Sequence, residues 1–242
     1  MKKICLTFDD VPLVSHCEFA IPLLKKHDLK ATLFVYSSLR QMYMREEGIL
    51  DHEREPDGRV SKIKEFNDDG FEIGNHSHMH GNMERILHAS GEIPVVKDIE
   101  ACNDFLTSLG VEKPTSFCYP GFHADLELAN LLGRMGFSHA RTGYIFDTHE
   151  SQYNPQVKRP SPSYYSFTSP QDSLLIKSTG IFGELYGFKD FKSDVESMSE
   201  NECGIFTFHG FACKEYKLEF EKIISYIVNN NIETVKLNEL PT

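Results

Sequence analysis

KICLTFDD, Lys3 to Asp10, is a short apolar run that ends in two adjacent carboxylates. A run of this length and composition reads as a buried strand. Runs of the same kind recur as KATLFVY (30–36), GFEIGN (70–75), TSFCYP (115–120), FSHART (137–142), SLLIKS (173–178), CGIFTFH (203–209) and ETVKL (233–237). Between them lie amphipathic helical patterns: CEFAIPLLKKHD (17–28), VVKDIEACNDFLTSLG (95–110), LELANLLGRMG (126–136) and KLEFEKIISYIVNNN (217–231). Several of these close on Gly or Asn, as helix C-termini do. Strand and helix in alternation predict an α/β fold built on a parallel sheet, and the number of repeats suits a distorted (β/α) barrel of about seven parallel strands. The 242 residues are expected to form a single catalytic domain, residues 1–242.

The formal net charge is −11, from 25 Lys and Arg against 36 Asp and Glu, with no clustering of basic residues. Such a surface repels polyphosphate and anionic lipid, so nucleic acid is not an expected partner. The start MKKICLTFDD lacks the roughly 7–15 apolar residues of a signal h-region, and no stretch approaches the roughly 20 needed for a membrane span. Six cysteines are scattered without C-x-x-C spacing, which fits free thiols in a reducing compartment. The expectation is a cytoplasmic protein. Its oligomeric state is not legible.

Two stretches break the rhythm. Arg40 to Lys64 is charged and long for a connection between strand and helix; of the two readings, a lid or a solvated insertion, the second is favoured. Gly143 to Gln171 is rich in Pro, Ser and Tyr without periodicity, and is read as a long loop whose aromatics line a site.

Functional groups of a parallel barrel come from the C-terminal ends of its strands. At such ends stand Asp9 and Asp10, the cluster NHSHMH (75–80), YPG (119–121) and His209. Each also has a structural reading. Paired Asp residues initiate turns and cap helices, His-x-His-x-His fits a surface loop, YPG is a turn, and a His among aromatics packs in a core. His76 and His80 share a face if their segment is helical or turned. If it is extended, His78 joins them. The Gly74-Asn75 break favours the turned alternative.

Together and in this order, TFDD, His76-Ser77-x-x-His80, YPG and a late strand ending FH resemble the motifs of the polysaccharide deacetylase family, also called the NodB-homology domain or carbohydrate esterase family 4. KATLFV, GFEIGNHSHMH and LLGRMGFSHARTG resemble neighbouring family text. The resemblance implies a NodB-like barrel and a divalent metal, zinc by default with cobalt, nickel or iron as alternatives, held by Asp10, His76 and His80. It implies Asp9 as the base and His209 as the acid of a reaction that releases acetate from an N-acetylated sugar or glycan. It further implies an oxyanion or substrate contact at Tyr119, Pro120 and Gly121 through a backbone N–H near Tyr119.

The chain departs from the family pattern at two points. The arginine that many members carry before the third-motif Pro is Cys118 here, with Arg159 as the candidate substitute. The Asp and Trp of the fourth motif are not recognisable in a chain with no Trp; Asp147 is the nearest candidate support, and Tyr144, Tyr153, Tyr164 and Tyr165 are candidate stacking residues. The alternatives are a hydrolase of another non-peptide C–N bond, such as a small amide, imide or ureide, and a glycan-binding relative without catalysis.

Overall fold

The computed structural model describes residues 2–38, 58–143, 162–168, 172–183, 186–211 and 213–242. Its centre is β1, Lys3–Val11, whose residues from Ile4 to Asp9 are all buried. It pairs in parallel with β2 (Thr32–Val35) on one side and β9 (Glu202–Phe208) on the other. From β2 the parallel ladder continues through β3 (Glu72–Asn75), β4 (Ser116–Cys118) and β5 (His139–Thr142). All the residues of these four strands are buried, as expected of strands covered on both faces.

One short segment closes the circle. Ile176–Lys177 (β7) pairs with β5, and Gly180–Ile181 (β8), only a few residues later, pairs with β9. At the crossing, Ser178 N–H donates to Thr142 O and Thr179 N–H to Ile205 O. The result is a nearly closed barrel of mostly parallel strands, as the alternation predicts. Two further strands decorate it: β10 (Glu233–Val235) beside β1, and the antiparallel β6 (Tyr165–Ser166) beside β9. Cys5, Phe34, Cys118, Ile176 and Ile205 pack together as one apolar cluster. A larger cluster, containing Phe8, Phe66, Phe208, Phe220 and Ile227, seals β1 against the surrounding helices.

The four helices expected from the sequence are present, and among the described residues three more join them. Arg59–Asp68 begins inside the stretch read as a solvated insertion, and its Arg59, Ile63 and Phe66 are buried. That reading therefore fails for residues 58–64; residues 40–57 lie outside those described. Met83–Ser90 starts at Asn82, whose side chain accepts from Arg85 N–H at 2.8 Å, and Phe188–Ser197 covers the outside near β9. The long loop from Gly143 is likewise interrupted by β6.

Candidate active site

Adjacent strand residues point to opposite faces of a sheet, so a regular β1 would separate Asp9 from Asp10. The backbone breaks that rule. The register against β2 shifts between Phe8 and Val11, and Asp10 takes a left-handed conformation with φ of 58°. A non-glycine residue held there costs about 1–2 kcal/mol, which the surrounding structure must sustain. Asp9 is buried, while the Asp10 side chain keeps 22% of its surface exposed.

His76 and His80 reach Asp10 through a turn and not through a helix. The Asn75 side chain accepts from Ser77 N–H at 2.6 Å, while its amide donates to Ile99 O and to Asn103 Oδ1. Ser77 Oγ accepts from His80 N–H at 2.9 Å, and both Ser77 and His80 have positive φ. From outside, the Asp98 carboxylate accepts from His78 N–H and Met79 N–H. His80 Nε2 lies 3.4 Å and His76 Nε2 3.9 Å from the same Asp10 oxygen, with the two rings edge to face at 4.7 Å. His78 takes the other direction, its Nδ1 bonded to Ser37 Oγ at 2.8 Å.

This trio fits a divalent cation. Asp10 Oδ1 is a buried acceptor without a hydrogen-bond partner among the described residues. His76 Nδ1 sits 2.8 Å from Cys118 O, which fixes the proton on Nδ1 and leaves the Nε2 lone pair toward Asp10. Burial lowers the His76 pKa to about 4, so the imidazole is neutral, as a ligand must be. Asp9, His76 and Cys118 also approach one another closely enough to hold an ion. That set is the poorer one: Asp9 Oδ1 is taken by Arg141, and burial pushes the Cys118 thiol well above its ordinary pKa, so it stays protonated.

Asp9 stands between an arginine and a histidine. The Arg141 guanidinium, from the end of β5, contacts Oδ1, and His209 Nε2 lies 3.5 Å from Oδ2. Burial by itself would raise the Asp9 pKa, but Arg141, with His209 and His76, overrides it and holds the carboxyl well below the usual range. His209 is 41% exposed, its carbonyl oxygen 3.2 Å from the ring Nε2 of buried His16 and its ring edge-on to Phe122.

The third motif is placed differently from expectation. Tyr119 N–H donates to Arg141 O, its hydroxyl donates to Leu174 O, and its ring packs in a core on Phe117. Tyr119 thus has no donor left for an oxyanion, and Pro120 has none to give, which leaves Gly121 as the donor of that stretch. Tyr164 and Tyr165 are not stacking residues. They lie toward the N-terminal end of β9, the Tyr165 hydroxyl bonded to Pro241 O and that of Tyr164 to Asp194 O. Arg159, Asp147, Tyr144 and Tyr153 lie outside the described residues. Arg141 was missed from sequence; its signal was an arginine at the end of the strand run FSHART, where a parallel barrel places its functional groups.

The polysaccharide deacetylase family profile matches residues 1–140. No curated protein matches the chain by sequence. Solved structures resemble it throughout: a family 4 carbohydrate esterase from Streptomyces lividans in complex with acetate (14% identity, TM-score 0.59, covering 96% of this chain and 91% of that one). A family 4 acetyl xylan esterase from Clostridium thermocellum in complex with a cobalt ion is similar at 17% identity and TM-score 0.59, over 98% and 89% of the two chains. The catalytic domain of a peptidoglycan N-acetylglucosamine deacetylase from Eubacterium rectale is similar at 18% identity and TM-score 0.60, over 97% and 87%. At these identities the likeness establishes the fold, and the profile, which spans more than half of the sequence, establishes the kinship: the chain belongs to the polysaccharide deacetylase family.

Proposed function

We propose that this protein hydrolyses the acetamide of an N-acetylated sugar or small glycan, releasing acetate and a free amine, with zinc held by Asp10, His76 and His80. The observation that carries this reading is the orphaned Asp10 oxygen facing two imidazole nitrogens, beside a carboxylate already held ionised. A divalent cation bound there supplies Lewis-acid polarisation of the acetyl carbonyl and acidifies water. Zinc suits a mixed carboxylate and imidazole set, and cobalt, nickel or iron suit it nearly as well.

The chain's own groups divide the remaining work. Asp9 takes the proton from the attacking water as the new C–O bond forms, its Oδ2 being the oxygen not bound to Arg141. Gly121 N–H is the candidate donor to the oxyanion. His209, exposed to the mouth of the site, gives a proton to the departing amine as the C–N bond breaks. Metal-stripped protein is expected to release no acetate from N-acetylated sugars and oligosaccharides, and to regain activity with zinc or cobalt. Metal binding without acetate release from any of them would overturn the substrate, and failure to bind metal would overturn the site.

A further inference from the structure

Arg141 is fully buried, and its Cα lies directly opposite that of Cys118 in the parallel register of β4 and β5. Its side chain passes in front of Cys118, with Nη2 2.9 Å from the sulfur, and reaches Asp9 Oδ1. The guanidinium carbon is 5.4 Å from the centroid of the Phe34 ring and 5.4 Å from that of Phe122. One carboxylate and two aromatic rings therefore surround a cation that would otherwise be costly to bury. Nε and Nη1 have no hydrogen-bond partner among the described residues, so the group is not fixed by a wider polar network.

A cation is not needed merely to bury an acid in this protein. Glu72, also buried, accepts from Thr32 Oγ1, Ser116 Oγ and Asn238 N–H, all neutral donors. What the guanidinium adds at Asp9 is direction. It binds one oxygen and leaves the other facing His209 and the open end of the barrel.

We propose that Arg141 is the positioning residue for Asp9, delivered from β5 through the gap that the small Cys118 side chain leaves on β4. Residues 118 and 141 are cross-strand partners, so an arginine at either position can reach the same carboxylate, while two arginines would collide. The inference deepens the deacetylase reading, on which only its kinetic test depends.

The test is an exchange. Arg141→Met is expected to lower kcat by about 10- to 100-fold with KM and bound metal unchanged, the range typical when a supporting partner is lost. Arg141→Lys, which keeps the charge without the planar fork, should stay impaired. The double variant Cys118→Arg/Arg141→Cys should recover most of the lost kcat. In crystal structures, the Asp9 carboxylate should turn away in Arg141→Met and return in the double variant. Wild-type kcat in Arg141→Met, an unmoved Asp9, or a folded, metal-loaded double variant as slow as the single one would overturn the assignment. Should Arg141→Met fail to fold, Arg141→Lys and the double variant decide it. If the wild-type protein releases no acetate, the substrate reading falls, and the position of Asp9 in the crystal structures still tests this inference.

Discussion

The barrel buries a carboxylate near each end, and the two are treated in opposite ways. At the N-terminal end Glu72 is enclosed by the hydroxyls of Thr32 and Ser116 and the Asn238 N–H, so both of its oxygens are engaged. At the C-terminal end Asp9 meets a guanidinium and an imidazole, and around it Asp10 Oδ1, His16 Nδ1 and two Arg141 nitrogens have no hydrogen-bond partner among the described residues. Buried polar groups are nearly always satisfied, and exceptions need a reason. A closed network serves stability, whereas a cluster with open valences serves something that arrives later. The contrast marks which end of the molecule does chemistry without appeal to any relative.

The largest effect should come from filling or emptying those open valences. Asp10→Ala or His80→Ala removes one of three ligands, and both metal content and acetate release should fall to background, read by elemental analysis and an acetate assay. Next in size is Asp9→Asn, expected to retain metal and lose about 10²–10⁴-fold in kcat, the usual worth of a positioned base. Strong residual turnover would remove Asp9 from that role. Glu72→Ala is the converse variant. It strands two buried hydroxyl donors and the part-buried Asn238 N–H, and should cost about 2–5 kcal/mol in urea unfolding, while the folded fraction keeps its kcat. A change in kcat of the folded protein would break the distinction between the two ends.

How much of this was legible beforehand follows the same division. The strands were readable because those of a doubly covered parallel sheet are continuous apolar runs, and Asp9, Asp10, His76, His80 and His209 fell at their ends. The turned path of residues 76–80 was favoured by Gly74-Asn75, but its cause, the Asn75 and Ser77 side chains closing on backbone N–H groups, needed coordinates. Tyr119 was misassigned because nothing local reveals that its N–H is spent on β5. Arg141 was missed for a related reason. Its importance rests on register with Cys118 and on a bulge in β1 far away in sequence, and cross-strand register is not written in either strand alone. The helix Arg59–Asp68 was overlooked because its polar composition hides the few residues it buries.

The smallest predicted effect sharpens the comparison on the open side. His16 is fully buried behind the site, its ring Nε2 3.2 Å from the carbonyl oxygen of His209. Burial lowers its pKa from 6.5 to about 4, against weaker raising influences from His209 O, Asp10 and Asp9. Because the folded value is depressed, the unfolded chain binds the proton more readily between pH 6.5 and 4. Stability is thus complete above pH 6.5 and declines as the pH falls through that window. At pH 4.5 the loss from this one group reaches up to about 2.5 kcal/mol. His16→Gln keeps an N–H donor near the His209 carbonyl but cannot titrate, so urea unfolding at pH 7 and 4.5 should show a smaller drop for the variant. Equal drops in both proteins would mean that His16 finds a way to be charged when folded, and that its orphaned Nδ1 belongs with the closed, satisfied groups and not with the open ones.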